Sequence, residues 1–211
     1  MRKQEYLIYF TALSAGVLLI SNLAAVKLWN LAGIPVDGGL VCFPITYMLG
    51  DLIVEFYGKT LAKKVVYAGL VVNILAAVVF YIVIALPSYP GWTMQEAYAS
   101  VLGFTPRIIA ASLLSFVCSN LFNNHVFVQM KESGGVFTHH FIARALGSSA
   151  VARIIDSGIF ETVAFFGVLP FGDFLHQAIF AYVAGFAIEC ALSPVENKIQ
   201  KHLKRSMGHA E

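Results

Sequence analysis

Asp51 and Glu55 stand four residues apart in an apolar stretch, so a helix projects both from one face. Tyr47, four residues before Asp51, extends that face. Two carboxylates and a phenol accept hydrogen bonds from a ligand rich in N–H groups, or take up a proton. A second group comprises Arg153 and Asp156, three residues apart and of opposite charge, with Ser149, Ser157, Glu161 and Thr162 nearby. A third comprises Asn120, Asn123, Asn124 and His125, whose amides and imidazole both donate and accept. Ser112, Ser115, Ser119 and Asn123 recur at helical spacing and form one polar stripe. Ser21 and Asn22 add a hydroxyl and an amide, and His176, Gln177 and Glu189 a fourth scatter of polar groups. Plainer uses stand beside these. Glu55 can answer Lys59 at a headgroup boundary, the serines can let helices approach closely, and Arg153 with Asp156 can form an internal ion pair. Solvation at the membrane surface accounts for the fourth scatter.

The elements that carry these groups are apolar. Hydrophobic residues make up 58% of the 211-residue chain and charged residues 12%, about half the charge of an ordinary soluble domain. Such a surface needs lipid as its solvent. A crossing helix needs about 20 mostly apolar residues, and six stretches qualify: 6–29, 40–57, 65–86, 107–129, 146–168 and 174–192. Turn formers separate them: Gly33, Pro35, Asp37, Gly38 and Gly39; Pro87, Pro90 and Gly91; Gly134 and Gly135; Pro170 and Gly172. A short interfacial helix is expected over 93–102, because Trp92 and Tyr98 suit the headgroup layer. The first stretch is longer than a signal-peptide core and lacks a good cleavage pattern, so we expect it to be retained.

Basic residues test this layout independently. Arg2, Lys3, Lys59, Lys63, Lys64, Lys131, Arg144, Lys198, Lys201, Lys204 and Arg205 all fall on one side if the chain crosses six times. Positive charge marks the cytoplasmic side. The expected fold is therefore an all-α integral membrane protein with both ends inside, one six-helix domain over residues 1–211. The second and fifth helices each carry an acidic stretch closed by aromatics and glycine, 51–58 and 156–167. They are the middle helices of two three-helix halves running in opposite directions, the pattern of an inverted repeat. Cys42, Cys118 and Cys190 are widely spaced within apolar runs and read as small buried hydrophobes.

Whole classes of function drop out. A net charge of +2 without a basic patch excludes a nucleic-acid partner. There is no P-loop, no HExxH zinc motif and no GxSxG elbow, and the adjacent His139 and His140 do not share a helix face. Neither an enzyme nor a resident cofactor is expected. The polar residues are clustered and mixed in sign, unlike the ring of one kind that lines a channel. The remaining reading is a carrier of a small molecule, with a compact site on helices two, four and five. Carboxylates, amides, Arg153 and His125 among 17 Phe and 9 Tyr suit a flat, hydrogen-bonding heterocycle. A guanine-like ring presents adjacent N–H donors to a carboxylate and its faces to aromatic side chains.

The run Pro44, Tyr47, Gly50, Asp51, Glu55, Tyr57 and Gly58 resembles the hallmark of the queuosine precursor transporter family, also called the vitamin uptake transporter family. Ser21-Asn22, His125-Val126-Phe127 and Asp156 with the aromatics after it extend the likeness over nearly the whole chain. The resemblance implies a six-helix protein of the bacterial inner membrane that imports 7-deazaguanine precursors of queuosine, such as 7-cyano-7-deazaguanine. It points to Asn22, Asp51, Glu55, His125 and Asp156 as binding residues. Asn123 and Asn124 depart from the acid that some relatives carry just before the histidine. Two other readings remain: a vitamin-binding subunit served by a separate ATPase, and an assembly protein whose polar groups only join helices. Small residues in several helices permit a homodimer.

Overall fold

A backbone in hydrocarbon must satisfy its own N–H and C=O groups, and long helices do so within each segment. The computed structural model describes residues 2–132 and 141–206 and is mostly helical. Helix α1 (Arg2–Ala24) leads into a two-stranded hairpin, β1 (Leu28–Leu31) and β2 (Ile34–Asp37), then a 3-10 turn (Gly38–Cys42). Helices α2 (Phe43–Ala85), α3 (Gln95–Glu132), α4 (Phe141–Phe165) and α5 (Phe171–Ser206) follow. The expected break at Gly134 and Gly135 and the pair His139 and His140 lie outside the described residues.

Among the described residues, three segments are long and apolar enough to cross a membrane: Gln4–Ala24, Met48–Ala85 and Gln95–Ser119. The middle one has 38 residues, about 57 Å at 1.5 Å per residue and nearly twice the roughly 30 Å of hydrocarbon. It is not one straight rod. Gly58, at φ 80 and ψ 163, breaks α2 into arms over 43–57 and 59–85, where the sequence ends one apolar stretch ahead of the next. Helix α4 lies over the fifth stretch but carries Arg153, Asp156 and Glu161 within its length.

The chain divides into two compact units, residues 1–29, 36–106 and 183–211 in one, and 30–35 with 107–182 in the other. In the first, Leu49, Leu52, Ile53 and Phe56 recur at helical spacing and bury one face of the first α2 arm against Phe10 of α1 and Val65. Tyr6, Leu7, Val17, Ile199 and Leu203 close around them. The second arm approaches α1 at Gly69, where an added Cβ would sit 3.2 Å from Leu18 Cδ2 and 3.6 Å from Ala15 Cα. Val71, Leu75 and Val78 are exposed on that arm, as suits side chains solvated by lipid.

Helix α1 ends at Ala24, short of the Trp29 expected from hydropathy, because the chain turns back over it. Gly38 donates its N–H to Lys27 O at 2.8 Å, and a Cβ added to it would collide with Ala24 O, so the position suits glycine. Asp37, 3% exposed, pins this crossing by accepting the Gly39 N–H at 2.8 Å. Ser21 Oγ donates to Gly39 O at 3.4 Å, and Trp29 Nε1 to Asp37 O at 3.3 Å. No separate helix forms over 93–102. Helix α3 starts at Gln95 and runs on through Pro106, which removes only one ladder donor. Gln95 Nε2 donates to Ile84 O at 3.1 Å and Ser88 Oγ to Gln95 Oε1 at 2.9 Å, tying the end of α2 to the start of α3. Trp92 and Tyr98 meet edge to face.

In the second unit, Arg107 caps α4. Its Nε donates to Val163 O and its terminal nitrogen to Phe166 O, both at 2.7 Å, so a cation meets the negative helix end. Gly167, at φ 79, makes the turn into α5, and Phe166 meets Phe174 edge to face.

Two outcomes follow from these local features. Nothing lies within 4 Å of a Cβ built on Gly58 or Gly50, but only Gly58 has positive φ. Gly58→Ala should therefore cost about 1–3 kcal/mol from backbone strain alone, and Gly50→Ala should be tolerated; thermal unfolding in detergent compares them. Burial raises Asp37 from 3.8 to about 6, against the opposing Gly39 and Leu40 N–H bonds. A carboxyl raised in the fold stabilises it most when protonated. That contribution is complete below pH 3.8 and is lost as pH rises through about 6. Asp37→Asn keeps an acceptor for Gly39, so the wild-type-minus-variant stability should fall across this window.

Candidate functional site

Buried side-chain amides are rare in apolar helices, and two meet in the first unit. Asn22, 4% exposed, donates through Nδ2 to Asn73 Oδ1 at 2.8 Å, and Asn73, 1% exposed, donates through Nδ2 to Gly69 O at 2.9 Å. The pair joins α1 to the second arm of α2. Asn22 stood among the expected binding residues. Asn73 did not, although it is the one strongly polar side chain of its apolar stretch. That isolation was the available signal.

Asp51 and Glu55 are exposed on the first arm of α2. Their places in the helical turn put them on the side away from Leu49, Leu52, Ile53 and Phe56. The acidic face is therefore turned away from the core of its own unit. Tyr47 belongs to the same face by spacing, and its side chain lies outside those described.

The second unit gathers another set. Asp156 on α4 accepts the Ser119 hydroxyl at 3.3 Å and a hydrogen bond from Ser115, both buried on α3. The charge of Arg153 acts attractively on the same carboxylate. The serine stripe and the acid of the fifth stretch, read separately in the sequence, thus form one cluster. Ser115 Oγ also reaches Ser112 O at 3.2 Å, and Ser119 Oγ reaches Phe116 O at 3.2 Å. Each hydroxyl has one proton, so bonding to Asp156 competes with bonding to the helix backbone. Asn120, Asn123, Asn124 and His125 lie on α3, and their side chains are outside those described. Further along α4, Gln177 Nε2 of α5 donates to Glu161 Oε2 at 2.9 Å, with Glu161 2% and Gln177 1% exposed. The residue pattern does not show this contact, because nothing in one sequence pairs positions on different helices.

The chain is thus a helical protein with membrane-spanning segments that buries carboxylates and amides between its helices. The family model described as "Putative vitamin uptake transporter" matches residues 37–197, and the chain belongs to that family, which is one of transporters and not of enzymes. Among named relatives, the "Probable queuosine precursor transporter" of Bacillus subtilis (strain 168) is 29% identical over 176 residues, 82% of this chain and 76% of that one. The "Queuosine precursor transporter" of Escherichia coli (strain K12) is 25% identical over 137 residues, 65% of this chain and 56% of that one. The chain thus aligns with little more than half of the second relative. No solved structure matches.

The amide pair makes a quantitative demand. Asn22→Ala or Asn73→Ala leaves a buried amide without its partner and should cost about 1–3 kcal/mol. The double variant should cost less than the sum, with a coupling of about 0.6–2 kcal/mol. Unfolding of the four proteins in detergent measures the cycle; simple additivity would mean that the contact carries no energy.

Proposed function

We propose that this protein imports a 7-deazaguanine precursor of queuosine, such as 7-cyano-7-deazaguanine, across the bacterial inner membrane into the cytoplasm. The observation that carries the reading is the likeness to the Bacillus subtilis protein, named as a probable queuosine precursor transporter, over 82% of this chain. The polar chemistry supports it. A flat base with adjacent N–H donors needs carboxylate acceptors, the chemistry that Asp51 and Glu55 offer in the first unit and Asp156 in the second, and its carbonyl needs donors, the chemistry of Arg153, Asn120, Asn123, Asn124 and His125. Tyr47 offers a ring face to the heterocycle. In this reading the chain is one domain over residues 1–211 that crosses the membrane six times, with both ends cytoplasmic and its two halves related as an inverted repeat.

Complementation tests the proposal. The host is a bacterium that lacks both precursor synthesis and its own importer, fed low concentrations of 7-cyano-7-deazaguanine, 7-aminomethyl-7-deazaguanine or queuine. One of the three should restore queuosine in tRNA with the wild-type chain. Asp156→Asn, at equal membrane abundance, should lower initial uptake about tenfold or more, since a hydrogen bond to a charged group contributes about 1.5–3 kcal/mol. Failure of all three precursors despite good insertion would remove this cargo. A vitamin, with a separate ATPase, would then be the class to test.

A further inference from the structure

Glu161 and Gln177 make a buried polar contact that the cargo reading does not use. Gln177 Nε2 donates to Glu161 Oε2 at 2.9 Å, yet Gln177 Oε1 is buried and has no hydrogen-bond partner among the described residues. An amide oxygen left without a donor in an apolar interior is costly, and in hydrocarbon no solvent relieves it. Something must supply a donor for at least part of the protein's cycle. The two side chains are 2% and 1% exposed, so no cargo-sized molecule reaches the oxygen while α4 and α5 stay packed. A proton needs no cavity. Carried on Glu161, it lets the carboxyl O–H bond to Gln177 Oε1 while Gln177 Nε2–H bonds to the other carboxyl oxygen.

We propose that Glu161 and Gln177 form a proton-binding site, and that transport senses a proton gradient through it. The inference rests on the transporter reading for its coupling, though not for its chemistry. Release of the proton puts a charge where water is absent, so it requires water to enter between α4 and α5. Proton exchange is thereby linked to separation of these helices, the kind of motion a carrier makes. The other titratable or charged groups of this unit whose side chains are described are Arg107 and Cys118 on α3, Arg153 and Asp156 on α4, and Asp173, His176 and Tyr182 on α5; His125, Lys131 and Glu132 on α3 and Arg144 on α4 have side chains outside those described. Arg107 is held by Val163 O and Phe166 O, Asp156 by Ser115 and Ser119, and Asp173 and His176 are exposed. None of the described groups supplies the donor that Gln177 Oε1 lacks.

Infrared difference spectroscopy of the full-length protein during a pH titration reads the site without any cargo. The wild type should show a carboxylic-acid C=O band that Glu161→Gln abolishes and Gln177→Met shifts to higher frequency. Bands identical to wild type in both variants would overturn the proposal. If Glu161→Gln cannot be purified folded, Gln177→Met alone decides, by whether the band moves. In proteoliposomes, Glu161→Gln should retain exchange of labelled precursor and lose its acceleration by an imposed inward proton gradient. Equal acceleration of variant and wild type would also overturn the proposal. Absence of exchange by the wild type would instead count against the cargo, and the infrared result would still decide whether the pair binds a proton.

Discussion

The hydrogen bond from Asn22 to Asn73 fixes the relation between α1 and α2. Apolar side chains have no preference for protein over lipid tails, so packing alone sets helix register weakly in a membrane. An amide has such a preference, because only another polar group satisfies it there. The same contact requires the helices to come close, and Gly69 provides the room beside Leu18 and Ala15. Helix α1 thereby touches both arms of α2: its N-terminal half packs on Leu49, Leu52, Ile53 and Phe56, and its C-terminal half holds the second arm through Asn22. The hairpin then folds over the end of α1 and is fastened by Asp37.

The second unit applies the same rule with charged groups. The exposed C-terminal carbonyls of α4 are met by Arg107, and the carboxylate of Asp156 by two serines and the field of Arg153. Each therefore restricts how α3 and α4 pack.

Much of this was legible in the sequence, for a physical reason. Long apolar runs leave few options besides helices, and Gly58 ends one run because no other residue tolerates its backbone angles. Asp156 and the serine stripe could be picked out because polar groups are conspicuous against such a background. Other features were not legible. The hairpin over 28–37 shows in the sequence only as a break, since its short strands are specified by close approach of Gly38 to Ala24 and not by alternation. The interfacial segment merged into α3 because a proline at 106 was compatible with a continuing helix. Asn73 and the contact between Glu161 and Gln177 depend on neighbours distant in sequence. Periodicity shows which face of a helix is polar, and not which residue it meets.

The break at Gly58 has a mechanical consequence. A continuous helix passes torque along its axis through its ladder of hydrogen bonds. At Gly58 the helical backbone angles are broken, so the direction of the arm that bears Asp51 and Glu55 is set by its own packing on Phe10 of α1, and that of the other arm by the anchor at Asn73.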